Sequence, residues 1–313
     1  MEKTFNSFTK AIATCTLCAA LLTPSAGAQK FEVTQVKQVP AASKVYHPIF
    51  VPGSNQILVS GEDYSGLGVI NLADNSYKTL IEGSAAGYRP TITEDGEAVV
   101  CRTRNDNTMT LTLHNINLKS GEVSTIASNL DHFNYINLSD DQVQMGVEGA
   151  QVSRKAAKRQ KVNNIYVTEE DLKLVLYNNG TRTVVDPLST PERDVNYCWS
   201  SISPDKTHLL FVAGNDAYVS NLDGSGLVNL GALHAPVWRG NDYIVAMEDH
   251  DDGTVYTASE IVIVGIDGSN RQQLSTTSSE IKMFPAVSAD GTQVAYHSTE
   301  GKIYVMTIQE NKP

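Results

Sequence analysis

The 313-residue sequence predicts an all-β fold, a six-bladed β-propeller of four-stranded blades, and three observations carry that prediction. First, an apolar pair eight positions apart brackets a polar turn at Leu72–Leu80, Leu118–Ile126, Leu176–Val184, Leu222–Leu230 and Ile266–Leu274. Gly, Asn or Asp stands at the centre of each frame, so each reads as an outer β-hairpin. Second, another element alternates with these frames: an aromatic or polar residue, Pro or a small residue, an apolar anchor, then a turn. Its copies are YHPIFVPGSN, YRPTITEDGE, NYINLSDDQ, CWSSISPDK, HAPVWRGND and FPAVSADGT, anchored at Phe50, Ile92, Leu138, Ile202, Trp238 and Val287. Third, each copy is followed by a β-rich run (QILVS, EAVVCR, QVQMGV, HLLFVA, YIVAM and QVAYHS), and no long helical periodicity follows residue 30.

Two hairpins per unit divide the chain into blades of about 44–83, 86–128, 132–188, 195–231, 233–276 and 281–313. The last unit reaches KIYVMTI and stops before a fourth strand. FEVTQVKQV, residues 31–39, is a strand without a unit of its own, and it is expected to complete the last blade. Closing the ring in this way removes two open sheet edges.

The N-terminal stretch reads differently. Lys3 and Lys10 precede the apolar run AIATCTLCAALL, and Ala26-Gly27-Ala28 supplies the small residues that a signal peptidase needs. Residues 1–28 are therefore read as a signal peptide cleaved before Gln29. Residues 29–313 are read as a single exported domain, periplasmic or secreted. No later segment approaches the apolar run of about 20 residues that a membrane-spanning helix requires. Cys15 and Cys18 would leave with the signal. Cys101 and Cys198 fall two blades apart and are expected to be free, buried thiols.

A net charge of −11 argues against nucleic acid as a partner. Loops entering the inner strands, and those joining second and third strands, are expected to share the face around the channel. Loop length varies most there, which is where binding tends to reside. Tyr46, His47, Tyr88, Arg89, Tyr135, Trp199, His234 and Phe284 precede the anchors and are expected at the channel mouth. Flat aromatic faces suit a peptide or sugar, and Arg89 suits a carboxylate. Arg104 and Asp106 are weaker candidates. The long insertion of unit three carries Arg154, Lys155, Lys158, Arg159 and Lys161, read either as a solvated loop or as a contact to an acidic partner.

Glu248, Asp249, Asp251 and Asp252 around His250 have the charge for calcium but lack the spacing of an EF-hand loop, so a solvated hairpin tip is expected. His47 and His234 occupy corresponding positions and form the alternative metal reading, a small lyase or hydrolase with a channel metal. No cofactor is otherwise expected. Catalysis has less support, since Gly-x-Ser-x-Gly, HExxH and phosphate-binding Gly-rich motifs are all missing from the sequence.

SADGTQVAYHSTEGKIYVMTI and IDGSNRQQLS resemble the repeat of TolB-like six-bladed propellers, with Asp95, Asp205 and Asp290 on its turn aspartate. The resemblance covers about residues 30–313, without the N-terminal α/β domain of TolB itself. It implies an interaction module of the cell envelope, and the chain is expected to be a monomer. A protein segment or envelope glycan would dock over the channel mouth.

Overall fold

The computed structural model describes residues 30–41, 43–131, 136–139, 142–147, 150–155 and 165–311. They form an all-β propeller of antiparallel sheets ranged around a channel, its six repeat units following the predicted order. Strand β1 (Phe31–Val39) precedes the first unit. Unit one is a four-stranded blade of β2 (Tyr46–Phe50), β3 (Gln56–Ser60), β4 (Leu67–Asn71) and β5 (Tyr77–Ile81). Unit two comprises β6 (Thr91–Ile92), β7 (Ala98–Arg104), β8 (Leu111–Asn117) and β9 (Val123–Leu130).

Unit three departs from the four-strand plan. Its described residues form two three-stranded sheets. One is β10 (Ile136–Ser139), β11 (Gln142–Val147) and β12 (Ala150–Lys155); the other is β13 (Ile165–Glu170), β14 (Lys173–Asn178) and β15 (Thr181–Val185). The long segment read as a loop supplies the additional strands β12 and β13, so Arg154 and Lys155 lie in a strand. The β13–β14 turn is tight because Asp171 and Leu172 both take positive φ, 49° and 61°, which matches the twist of a two-residue hairpin. Tyr135, Lys158, Arg159, Lys161 and the signal-peptide residues 1–28 lie outside the described residues.

The remaining units are four-stranded. Unit four holds β16 (Tyr197–Ile202), β17 (His208–Ala213), β18 (Asp216–Asn221) and β19 (Val228–Ala232). Unit five holds β20 (His234–Arg239), β21 (Tyr243–Asp251), β22 (Tyr256–Gly265) and β23 (Gln272–Gln273). Unit six runs β24 (Lys282–Val287), β25 (Gln293–Ser298) and β26 (Ile303–Glu310), and β1 is its outermost strand, as expected.

The repeated turn after the inner strand has one chemistry in three units. Thr93, Ser203 and Ser288 each donate a hydroxyl hydrogen bond to Asp95, Asp205 or Asp290, at 2.5, 2.6 and 2.6 Å. The same hydroxyls accept the backbone N–H groups of Ala98, His208 and Gln293, which start or adjoin the second strand. The aspartate thus holds a hydroxyl that pins both ends of the turn. In the outer turn IDGSNRQQLS, the Asp267 carboxylate accepts the Ser269 N–H at 2.9 Å and Gly268 takes a φ of 80°. Only a residue without Cβ adopts that φ at no steric cost.

Second strands such as β17 are buried along almost their whole length, because both faces of a blade meet a neighbouring blade. Val245, Met247, Ile261 and Ile263 of unit five pack with Val294, Tyr296 and Met306 of unit six in one such interface.

Closure is made by β1. Its register runs from Phe31 opposite Glu310 to Val39 opposite Ile303, with a bulge between Val33 and Gln35. Phe31 is wholly buried, with its ring edge-on to Tyr243 at 4.9 Å and the Arg239 guanidinium 4.7 Å above it. Gln272 of unit five donates to the Phe31 carbonyl and accepts its N–H, so the strand is clamped to both neighbours. Truncating Phe31 to Ala is expected to cost about 3–5 kcal/mol. Deletion of residues 31–39 should abolish the cooperative transition. Urea unfolding checks both, and an unchanged midpoint in the Phe31→Ala variant would contradict this role for β1.

Candidate functional site at the channel mouth

Four inner strands carry a bulge at the same place, between Tyr46 and Ile49, Cys198 and Ser201, His234 and Val237, and Met283 and Ala286. The bulged residue has left-handed backbone: His47 at φ 50°, Trp199 at 50°, Ala235 at 44° and Phe284 at 49°. Arg89, just before the short β6, adopts the same conformation at 47°. Each such position costs about 1–3 kcal/mol in a non-glycine residue, and such costs collect where backbone geometry serves a site.

The residue that follows explains how the kink is tolerated. It is Pro48, Pro90, Pro236 or Pro285 in four units, and proline has no N–H to leave unpaired. Ser200 stands there in unit four, and its N–H donates to Glu169 Oε1 at 2.6 Å.

These five kink residues line one cavity of about 880 Å³ in the channel. Tyr64, Tyr88, Arg102, Glu169, Cys198 and Trp238 also line it. The η1 turn (Glu62–Tyr64) joins β3 to β4, and its Tyr64 stacks on His47 at 4.2 Å and meets Tyr88 edge-on at 5.2 Å. Loops entering inner strands therefore meet those joining second and third strands on one face.

Arg89 donates to Glu169 Oε2 at 3.3 Å, linking unit two to β13 across the mouth. The Arg102 guanidinium lies 5.2 Å from the Tyr88 ring centroid. Burial pulls its pKa down to about 10, so it stays charged at neutral pH. His47 accepts or donates one hydrogen bond with Ser60 Oγ at 2.9 Å and packs against His297 and Phe284. Burial, with the His297 ring beside it, pushes its pKa down to about 3, and burial pushes His297 down to about 4.

Five of the eight expected mouth residues, His47, Tyr88, Arg89, Trp199 and Phe284, line the cavity. Tyr46 does not: it precedes the bulge, is buried and faces His297 at 5.3 Å. His234 also precedes its bulge and turns to Asp249 at 2.8 Å, which raises its pKa through that hydrogen bond. His47 and His234 thus have separate partners. Among the described residues no group of three or more His, Cys, Asp or Glu side chains is placed to hold a metal. Asp251 and Asp252 accept backbone N–H groups of their own exposed hairpin turn.

Arg104 pairs with Asp106 at 2.8 Å on an exposed loop. Cys101 is buried as expected, but Cys198 is exposed, because it stands at the bulge where the strand turns toward the cavity. Glu169, Arg102 and Tyr64 were missed by sequence reasoning. Tyr64 had a signal, since it sits in a loop of the kind expected on this face. Glu169 had none, because its strand arises from the departure in unit three.

No protein-family model matches the chain, and no curated protein matches it. A chain of the crystal structure of the mitotic checkpoint complex has a similar fold, with a TM-score of 0.58 and 11% identity. The similarity covers 96% of this chain and 99% of that one. It supports the propeller fold.

The two depressed histidines set a pH dependence. Both rings are neutral in the fold, so the unfolded chain binds more protons once pH falls below 6.5. Their contribution is complete above pH 6.5 and is lost as pH falls toward about 4 and then about 3. His234 acts oppositely, stabilising at low pH, but it is one partly exposed ring against two. The net loss between pH 7 and pH 4 should be on the order of a few kcal/mol. Calorimetric midpoints over this range check it, and a flat profile would count against a buried neutral pair.

Proposed function

We propose that the channel mouth is a protein-docking face and that the chain is an exported, TolB-like interaction module of the cell envelope. The observation that carries the docking face is the distribution of exposed apolar side chains. Val36, Tyr77, Val123, Val184 and Leu227 lie on or beside outermost strands, as edges of blades commonly do. The others, Tyr88, Met109, Leu172, Val255 and Tyr256, belong to loops or strand ends on the mouth side. Met109, Leu172 and Val255 are 58, 56 and 58% exposed. An apolar rim around an aromatic cavity matches a protein surface better than a glycan, whose hydroxyls need polar partners.

Export is supported by the N-terminal pattern of Lys3, Lys10, a short apolar run and Ala26-Gly27-Ala28. Mature protein isolated from the periplasm or medium is expected to begin at Gln29. N-terminal sequencing checks this, and an intact Met1 would reject it.

For the docking face, Leu172→Asp combined with Val255→Asp should weaken partner capture from envelope extract at least about tenfold. Both sites are exposed, so the unfolding free energy should stay within about 0.5 kcal/mol of the parent. Val184→Asp on an outer strand is the control and should capture normally. Equal recovery by all three proteins would remove the mouth from the reading.

A further inference from the structure

Electrostatics within the cavity deepen the docking reading, on which this inference rests. Among the described lining residues, Arg89 and Arg102 supply two guanidinium groups, and Glu169 supplies the lone carboxylate. His47 is neutral at ordinary pH. The described lining of the cavity therefore carries an excess positive charge inside a chain of net charge −11.

The carboxylate is held firmly and the guanidinium loosely. Glu169 Oε1 accepts the Ser200 N–H at 2.6 Å, where the kink of unit four is not followed by proline, and Glu169 is only 15% exposed. Arg89 is 47% exposed and, among the described residues, uses a single nitrogen for its 3.3 Å bond to Oε2. A guanidinium has five N–H donors in a planar fork that fits a carboxylate through two parallel bonds, and most of that fork is unused.

We propose that Arg89 is the receptor for a carboxylate of a bound peptide and that Glu169 occupies part of its fork in that carboxylate's place. The ligand's carboxylate takes the fork of Arg89, while Glu169 remains tethered to the Ser200 backbone. Arg102, beneath the Tyr88 ring, adds positive potential behind the receptor without being displaced. Trp199 and Phe284 wall the same cavity and accommodate apolar side chains beside the carboxylate. The occupant is a peptide rather than an acidic sugar because the surrounding rim is apolar.

Titration calorimetry with four probes tests this: the tetrapeptide Ac-Ala-Ala-Leu-Phe as its free acid, the same peptide as its C-terminal amide, the amide Ac-Ala-Asp-Leu-Phe-NH2, and glucuronate. The two carboxylate peptides should bind at least about tenfold more tightly than the neutral amide, since a charged hydrogen-bond pair is gained. Their relative strength separates a chain terminus from an acidic side chain as the source. Arg89→Gln should erase the difference between acid and amide.

Glu169→Gln keeps an acceptor for the Ser200 N–H but removes the competing charge. It should tighten the acid peptides several-fold and leave the neutral amide unchanged, a gain that a merely structural role would not produce. Matching unfolding midpoints establish that both variants fold. Equal binding of acid and amide, weaker acid binding in Glu169→Gln, preference for glucuronate, or no saturable binding at millimolar peptide would each overturn the proposal. If the rim variants lose the partner while acid and amide bind equally, the docking face stands and the carboxylate site falls.

Discussion

The pairing of β1 with β26 is the constraint on which the rest of the molecule depends. A propeller places its cores between blades, so each blade needs two neighbours, and an unclosed ring would expose the interface between its first and last blades. Here the two ends of the described chain share one blade. Phe31 ties that blade to Tyr243, Arg239 and Gln272 of unit five, so the closing strand also bridges an interface. Loss of the strand would expose a sheet edge and loosen a core together.

A closed ring supplies the rigidity that five left-handed residues require. Their strain totals roughly 5–15 kcal/mol if each position costs about 1–3 kcal/mol. It is offset by blade packing on both sides of every inner strand. Proline after the kink removes a donor that the bulge would otherwise orphan, and Ser200 shows what happens without it. Its N–H must find an acceptor, and Glu169 provides one from a different unit. This hydrogen bond joins unit three to the kink of unit four, and it also holds a carboxylate against Arg89.

The site is thus an electrostatic exception within its own chain. A net acidic chain repels anions at long range, while two guanidinium groups and one carboxylate among the described cavity-lining residues leave local positive charge. The low exposure of Arg102 and Glu169 strengthens their electrostatic interactions relative to the surface. The neutral pair His47 and His297 contributes packing rather than charge, since both rings are desolvated against each other and against Phe284.

Much of the fold was legible because hairpin turns and strand alternation are near-neighbour properties. The anchors Phe50, Ile92, Leu138, Ile202, Trp238 and Val287 all fall in inner strands, and the strand at 31–39 completes the last blade. The site was legible in part. A bulge reverses which side chain faces the channel, so Trp199 and Phe284 point into it while Tyr46 and His234 turn away. By itself, the sequence determined strands, turns, repeat frames and the closing strand, each specified within about ten residues. Only the tertiary structure decided that unit three forms two sheets, that Cys198 is exposed, and that Glu169 meets Arg89 across the mouth. Those outcomes depend on how separate units pack and where their backbones kink, and no local pattern encodes contacts between residues so far apart.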